Sequence, residues 1–146
     1  MPAKKTARGT VSEFALEVRD HIMIAHSLPR PAFGPAQGMH GATFIVDVTF
    51  FREKLNEDNI VVDIGLAHDA LKSVLSPLNY GNLDERAETK GKLTTTEFLC
   101  RYIFERMAEA VASGKLGPDG PVLSRLRVTL HESHIARAWF EGALPA

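Results

Sequence analysis

His26 closes one apolar segment of the chain and His40 opens the next, with the connection Ser27–Gly38 between them. If the flanking segments pair as antiparallel strands, the two imidazoles face each other. Imidazole nitrogens ligate metals, yet two histidines make half a site, because a catalytic zinc takes three protein ligands and a water. A purely structural, hydrogen-bonding role for either ring stays open. Glu132 is a second candidate. It lies between His131 and His134 where one strand ends and another begins, and a carboxylate there can accept two hydrogen bonds from the guanidine-like edge of a pterin or guanine. The alternative is a solvated turn glutamate. The third candidate is Thr94–Glu97, where free hydroxyls and a helix N-terminus could hold a polar ring or an anion, or could serve as a helix cap alone. Arg30, Lys90 and Lys92 are placed in loops, where solvated charges are the default and a phosphate is the other reading.

Composition narrows the classes. The chain has 146 residues, which is about one domain, and 45% hydrophobic against 24% charged residues describes an ordinary globular protein. Lysine plus arginine total 17 against 18 acidic residues, so nothing points to a nucleic-acid partner. The single cysteine, Cys100, falls in a helical pattern, which excludes an internal disulfide and a cysteine-based zinc site and predicts a buried, inert thiol. The N-terminal MPAKKTARGT is basic and polar without an apolar stretch behind it, and no apolar run reaches the ~20 residues of a membrane span. A cytoplasmic protein with no membrane partner is the expectation.

The elements that must position these residues follow from periodicity. Phe14, Leu16 and Val18 face one way and Glu13, Glu17 and Arg19 the other, as in a half-buried strand. Asp20 and His21 break the pattern, as at a bulge, before Ile22–Ile24 resume it. The Ser27–Gly38 connection, with three prolines and two glycines, reads as a functional loop rather than an element. From Ala42 to Phe50 the alternation is clean. Ile60–Asp63 reads as a short strand or a strand end, and Leu66, Ala67, Ala70, Leu71, Val74 and Leu75 as a helix ending before Pro77. After an exposed loop over 78–91, Thr94–Glu97 opens a second helix that ends near Gly114. Strands follow over Val122–Leu130 and Ile135–Phe140. The order ββααββ predicts an α+β domain over residues 13–146, with a flexible N-terminus over 1–12. Its core is a four-stranded antiparallel sheet with two helices on one face. Unprotected edges and one bare face favour an oligomer.

Taken in order, these segments resemble the 6-pyruvoyl-tetrahydropterin synthase and 6-carboxytetrahydropterin synthase family from about Phe14 to Phe140. Ile24-Ala25-His26-Ser27-Leu28 is similar to the family's Ala-Ala-His-Arg-Leu, and Met39-His40-Gly41-Ala42 to its His-Gly-His. Val62-Asp63-Ile64 resembles its Val-Asp-Phe, and Leu78–Asp84 the loop Leu-Asp-His-x-Asn-Leu-Asp. Thr95-Thr96-Glu97 is similar to the start of its second helix, and His131-Glu132-Ser133 to its pterin-anchoring Glu-Thr pair. The resemblance implies a tunnelling fold whose subunits join sheets into an oligomeric barrel, commonly a hexamer, with sites between subunits. It also implies a zinc held by three histidines and carbon–oxygen lyase chemistry on dihydroneopterin triphosphate.

Departures from the family pattern fall on the catalytic side. The third zinc histidine falls on Ala42, leaving His26 and His40; the usual cysteine base falls on Ala36, and the Asp-His proton relay on Asn79 and Tyr80. Asparagine does not titrate, and a tyrosine of ordinary pKa, about 10, is a poor base at neutral pH. The ring-holding residues Glu132, Thr95, Thr96 and Glu97 stay. Zinc would then need His21, His68, His134 or a neighbour's carboxylate as a replacement ligand. The expectation is a protein that acts on or binds a reduced pterin, with an altered or lost zinc site. The alternatives are a non-catalytic pterin- or guanine-binding homologue and a metal-free, dihydroneopterin aldolase-like enzyme using Tyr80.

Overall fold

The computed structural model describes residues 11–145. All but the last two residues of the expected flexible N-terminus lie outside them. Four strands, β1 (Phe14–His26), β2 (His40–Arg52), β3 (Arg125–Ser133) and β4 (Ala136–Ala143), form one antiparallel sheet in the order β1-β2-β3-β4. Helices α1 (Ile64–Leu75) and α2 (Thr96–Ala112) cover one face, α1 against β1 and α2 against β3 and β4. The α+β expectation and its element order hold.

Period-two alternation explains which side chains make the core. Val18, Ile22 and Ile24 of β1, Phe44, Val46, Val48 and Phe50 of β2, and Leu126, Val128 and Leu130 of β3 point to the helices and are buried. They pack on Ala67, Leu71 and Leu75 of α1 and on Leu99, Ile103 and Met107 of α2. Asp63 caps α1 by accepting from the Leu66 N–H at 2.9 Å, and Thr95 caps α2 by accepting from Phe98 at 3.1 Å. Cys100 is buried, its thiol donates to the Ala138 carbonyl, and burial pushes its pKa up to about 11, as an inert thiol requires.

Three local expectations need correction. No bulge interrupts β1: it pairs with β2 residue for residue from Phe14↔Arg52 to His26↔His40. Asp20 keeps the phase of the core face, and its carboxylate accepts from the His21 N–H, so the break is one of polarity rather than geometry. Ile60–Asp63 is not a strand. Val61 and Val62 are buried, but the Val61 carbonyl is taken by the Arg52 guanidinium at 2.8 Å and the Ile60 N–H by the Asn56 side chain at 3.2 Å. Those backbone groups are satisfied outside any ladder. Val122 belongs to a 3-10 turn over Gly117–Val122, and β3 begins at Arg125.

The edge of β1 is partly covered. The Asn79–Leu83 loop runs beside it, with Tyr80 N–H to Met23 O at 2.6 Å, Ala25 N–H to Gly81 O at 2.9 Å and Leu83 N–H to Ala25 O at 2.9 Å. This fixes the end of the strand that carries His26.

Candidate functional site

The β1–β2 register places His26 directly opposite His40, at the end of the sheet where the Ser27–Gly38 connection leaves and returns. Their ring centroids are 4.6 Å apart with planes inclined by 64°. His26 is 3% exposed, and its Nδ1 lies 2.9 Å from the Thr94 hydroxyl just ahead of α2. His40 Nδ1 lies 2.8 Å from the Gly38 carbonyl; a carbonyl only accepts, so this nitrogen carries the hydrogen. Burial, and then the neighbouring His40, hold the His26 imidazole below its ordinary pKa against the opposing pull of Asp84, Thr94 and Glu132.

The connection itself is ordered. Its two short 3-10 turns over Pro31–Gln37 meet at Gly34, whose φ of 51° suits a residue without a side chain. The Leu28 N–H donates to the Ala36 carbonyl at 3.1 Å, folding the connection against the histidines. Together they wall a cleft of about 730 Å³, with Leu28, Phe33, Ala36, Ala42 and Phe44 on its apolar side. His26, His40, Thr95, Thr96, Glu97 and Glu132 are its polar lining.

Glu132 reaches this cleft because of a bulge. Pairing of β3 with β4 shifts between His131↔Arg137 and Ser133↔Ala136, leaving Glu132 as the extra residue. The Thr96 hydroxyl, one residue into α2, donates to Glu132 Oε1 at 3.0 Å. The helix start therefore aims the carboxylate while Thr95 caps the helix. Each carboxylate oxygen accepts more than one bond, so Glu132 keeps acceptor capacity for a ligand.

Ala42 follows His40 by one full strand period on the same face, and Ala36 faces the same cleft. Asn79 and Tyr80 do not line it. The Asn79 side chain accepts from the Met23 N–H at 2.9 Å, and Tyr80, with φ of 62°, is 81% exposed. His21 lies on the helix-free face of β1, His68 on the exposed side of α1, and His134 in the β3–β4 turn; none lines the cleft. Among the described residues no three His, Cys, Asp or Glu side chains come together as a metal-ligand set. The donor set of one chain therefore does not fit a zinc with three protein ligands.

Sequence reasoning missed Thr94 as the partner of His26 and the apolar wall. Phe44 could have been found, since positions 40, 42 and 44 share one face of β2.

An antiparallel ββααββ sheet with two helices on one face, and a cleft at the strand ends that pairs histidines with a helix-anchored glutamate, defines a tunnelling-fold protein of the pterin-synthase type. The profile of the family described as 6-pyruvoyl tetrahydropterin synthase matches residues 15–143, and the chain belongs to that family. It is 27% identical over 103 residues to 6-carboxy-5,6,7,8-tetrahydropterin synthase of Bacillus subtilis, a match covering 64% of this chain and 65% of that relative's length. The 6-pyruvoyl tetrahydropterin synthase of Caenorhabditis elegans shares the fold with a TM-score of 0.75 at 21% identity, over 91% of this chain and 98% of that one. The Plasmodium vivax enzyme aligns with a TM-score of 0.72 at 15% identity, over 90% and 99%.

Proposed function

We propose that this protein binds a reduced pterin in the His26–Glu132 cleft, with the three-histidine zinc site of its family altered or lost. The observation that carries the reading is Glu132. It is the bulge residue of β3, it is held by Thr96, and it is presented to a cleft wide enough for a bicyclic ring. Its carboxylate would accept from the ring N–H and the amino group of the pterin's guanidine-like edge. Thr95, Thr96 and Glu97 supply the polar surround at the N-terminus of α2. Binding of a dihydroneopterin-type compound is supported by this constellation; lyase turnover of the usual kind is not, since Ala36 and Ala42 occupy the base and ligand positions.

The metal-free, aldolase-like reading needs Tyr80 at the ring. Tyr80 points to solvent away from the cleft of its own chain, so it would serve only the cleft of a neighbouring subunit.

The deciding experiment is titration of 7,8-dihydroneopterin into the wild type and the Glu132→Ala variant, followed by ligand fluorescence. Loss of a charged, two-pronged hydrogen bond is worth ~1.5–3 kcal/mol, so the variant should bind about 10- to 100-fold more weakly. Equal affinity in the two proteins would remove Glu132 as the anchor, and with it the pterin reading.

A further inference from the structure

Glu132 lines the pterin cleft, whereas its neighbour His131 lies on the helix-free face and lines a second pocket, of about 270 Å³, at the β3–β4 turn. Besides His131, the polar lining of this pocket is Ser133, His134 and Arg137. The strand register sets Arg137 directly across from His131, so the two side chains share one face. Nothing in this pocket depends on the pterin reading.

His131 is held in one tautomer. Its Nε2 lies 2.7 Å from the carboxylate of Asp47, which is 3% exposed and also accepts two bonds from Arg19, at 2.6 and 2.9 Å. A carboxylate only accepts, so Nε2 carries the hydrogen, and in the neutral ring Nδ1 is then an acceptor. A carboxylate behind an imidazole fixes the orientation of the ring as well as its tautomer. Donors stand beside this acceptor. Arg137 brings a guanidinium fork, with its Cζ 5.9 Å from the centroid of the Trp139 ring. The Ser133 hydroxyl oxygen accepts from the Ile135 N–H at 3.3 Å, which leaves its own hydrogen for a ligand.

A ligand that satisfies this set must be an anion that accepts from Arg137 and Ser133 and yet has a hydrogen to give to Nδ1. Carboxylates and sulfate meet the first condition and fail the second. Hydrogen phosphate meets both. We infer that Arg137, Ser133 and the Asp47-oriented His131 form a site for inorganic phosphate on the helix-free face, in which His131 Nδ1 accepts the phosphate O–H.

The test is calorimetric titration of the full-length protein, in its native assembly, with inorganic phosphate and with sulfate at about pH 8, where an imidazole of ordinary pKa is neutral. Both ions are then tetrahedral dianions, and only phosphate keeps a hydrogen. Phosphate should bind about tenfold more tightly or better, as one added hydrogen bond to a charged group predicts. Equal affinities, or no phosphate binding at millimolar concentration, overturn the inference. His131→Phe should bring phosphate down to the level of sulfate, and a preference that survives this change overturns the role of Nδ1. Arg137→Ala changes an exposed strand residue and serves as the second variant should His131→Phe fail to fold. It should weaken both anions about tenfold, and unchanged affinities overturn the site. Phenyl phosphate separates the free ion from a phosphate ester, because an ester loses its second proton near about pH 6. It should follow sulfate, and an ester that binds as tightly as inorganic phosphate overturns selection by the phosphate hydrogen.

Discussion

Ala42 shares a face of β2 with His40 and looks into the same cleft, so one side chain separates the observed pair of imidazoles from a trio. The pair is otherwise well prepared. The Nδ1 atoms of both rings are engaged, by Thr94 and by Gly38, which leaves Nε2 of each for a ligand; such outer hydrogen bonds are what orient metal-binding histidines. Ala42→His should therefore give stoichiometric zinc after dialysis, measured by elemental analysis, where the wild type retains well under one zinc per chain. Stoichiometric zinc in the dialysed wild type would mean that a ligand from a neighbouring subunit completes the site. At this scale the sequence was most informative where one residue type has one job. The His26–His40 confrontation followed from strand pairing alone, and Glu132 from its place at a strand end. Thr94 was not legible as a histidine partner, because its contact with His26 spans 68 positions and depends on how α2 docks.

The strands and helices were legible because their periodicity is strong, and the misread segments are those where side chains divert the backbone from its usual partners. The β-branched run Ile60-Val61-Val62 has strand composition, yet Arg52 and Asn56 claim its polar groups. The Glu132 bulge has no composition signal at all and is a property of how β3 meets β4. Across the strands a second set of side chains ties the helix-free face. Arg19 donates twice to the Asp47 carboxylate, at 2.6 and 2.9 Å, and His131 Nε2 lies 2.7 Å from it, joining β1, β2 and β3. Burial alone would raise the Asp47 carboxyl, but the bonds to Arg19 and His131 outweigh it and hold the group below its ordinary value of 3.8. A carboxyl depressed in the folded state contributes stability that is fully present above its ordinary value and is lost as pH falls through the folded one. Asp47→Asn should accordingly cost about 1–3 kcal/mol in urea unfolding at neutral pH, and the gap to wild type should narrow once the pH drops below about 3.8. A gap independent of pH would assign the loss to packing instead.

For the whole molecule the unanswered surface is the face of the sheet that carries no helix. Met23, Ile45 and Trp139 stand on it at 47%, 37% and 54% exposure, around a polar centre built from Asp47, Thr49 and Thr129. Two of its three members are engaged within the chain, since the Thr49 hydroxyl donates to Glu17 and the Asp47 carboxylate accepts from Arg19 and lies against His131. What the face still offers is apolar area at its margins. The outer edge of β4 and the Phe14–Ile22 part of the β1 edge also remain without a strand neighbour among the described residues. An antiparallel sheet with one bare face and two open edges is a template for pairing with copies of itself, and continuing the sheet from subunit to subunit removes both edges at once. The cleft lies at one end of β1, β2 and β3, so sheet-to-sheet assembly would bring a neighbour's surface loops, including the exposed Tyr80, within reach of it. The expected mass by light scattering is therefore a multiple of the 16.0 kDa chain. Trp139→Glu, which places a charge on the bare face without touching the helix-side core, should shift that mass toward the monomer with the circular dichroism spectrum retained. The same variant should also lose pterin affinity if the neighbour completes the site. A wild type that elutes and scatters as a monomer at the concentrations used for ligand binding would show that the cleft is complete within one chain.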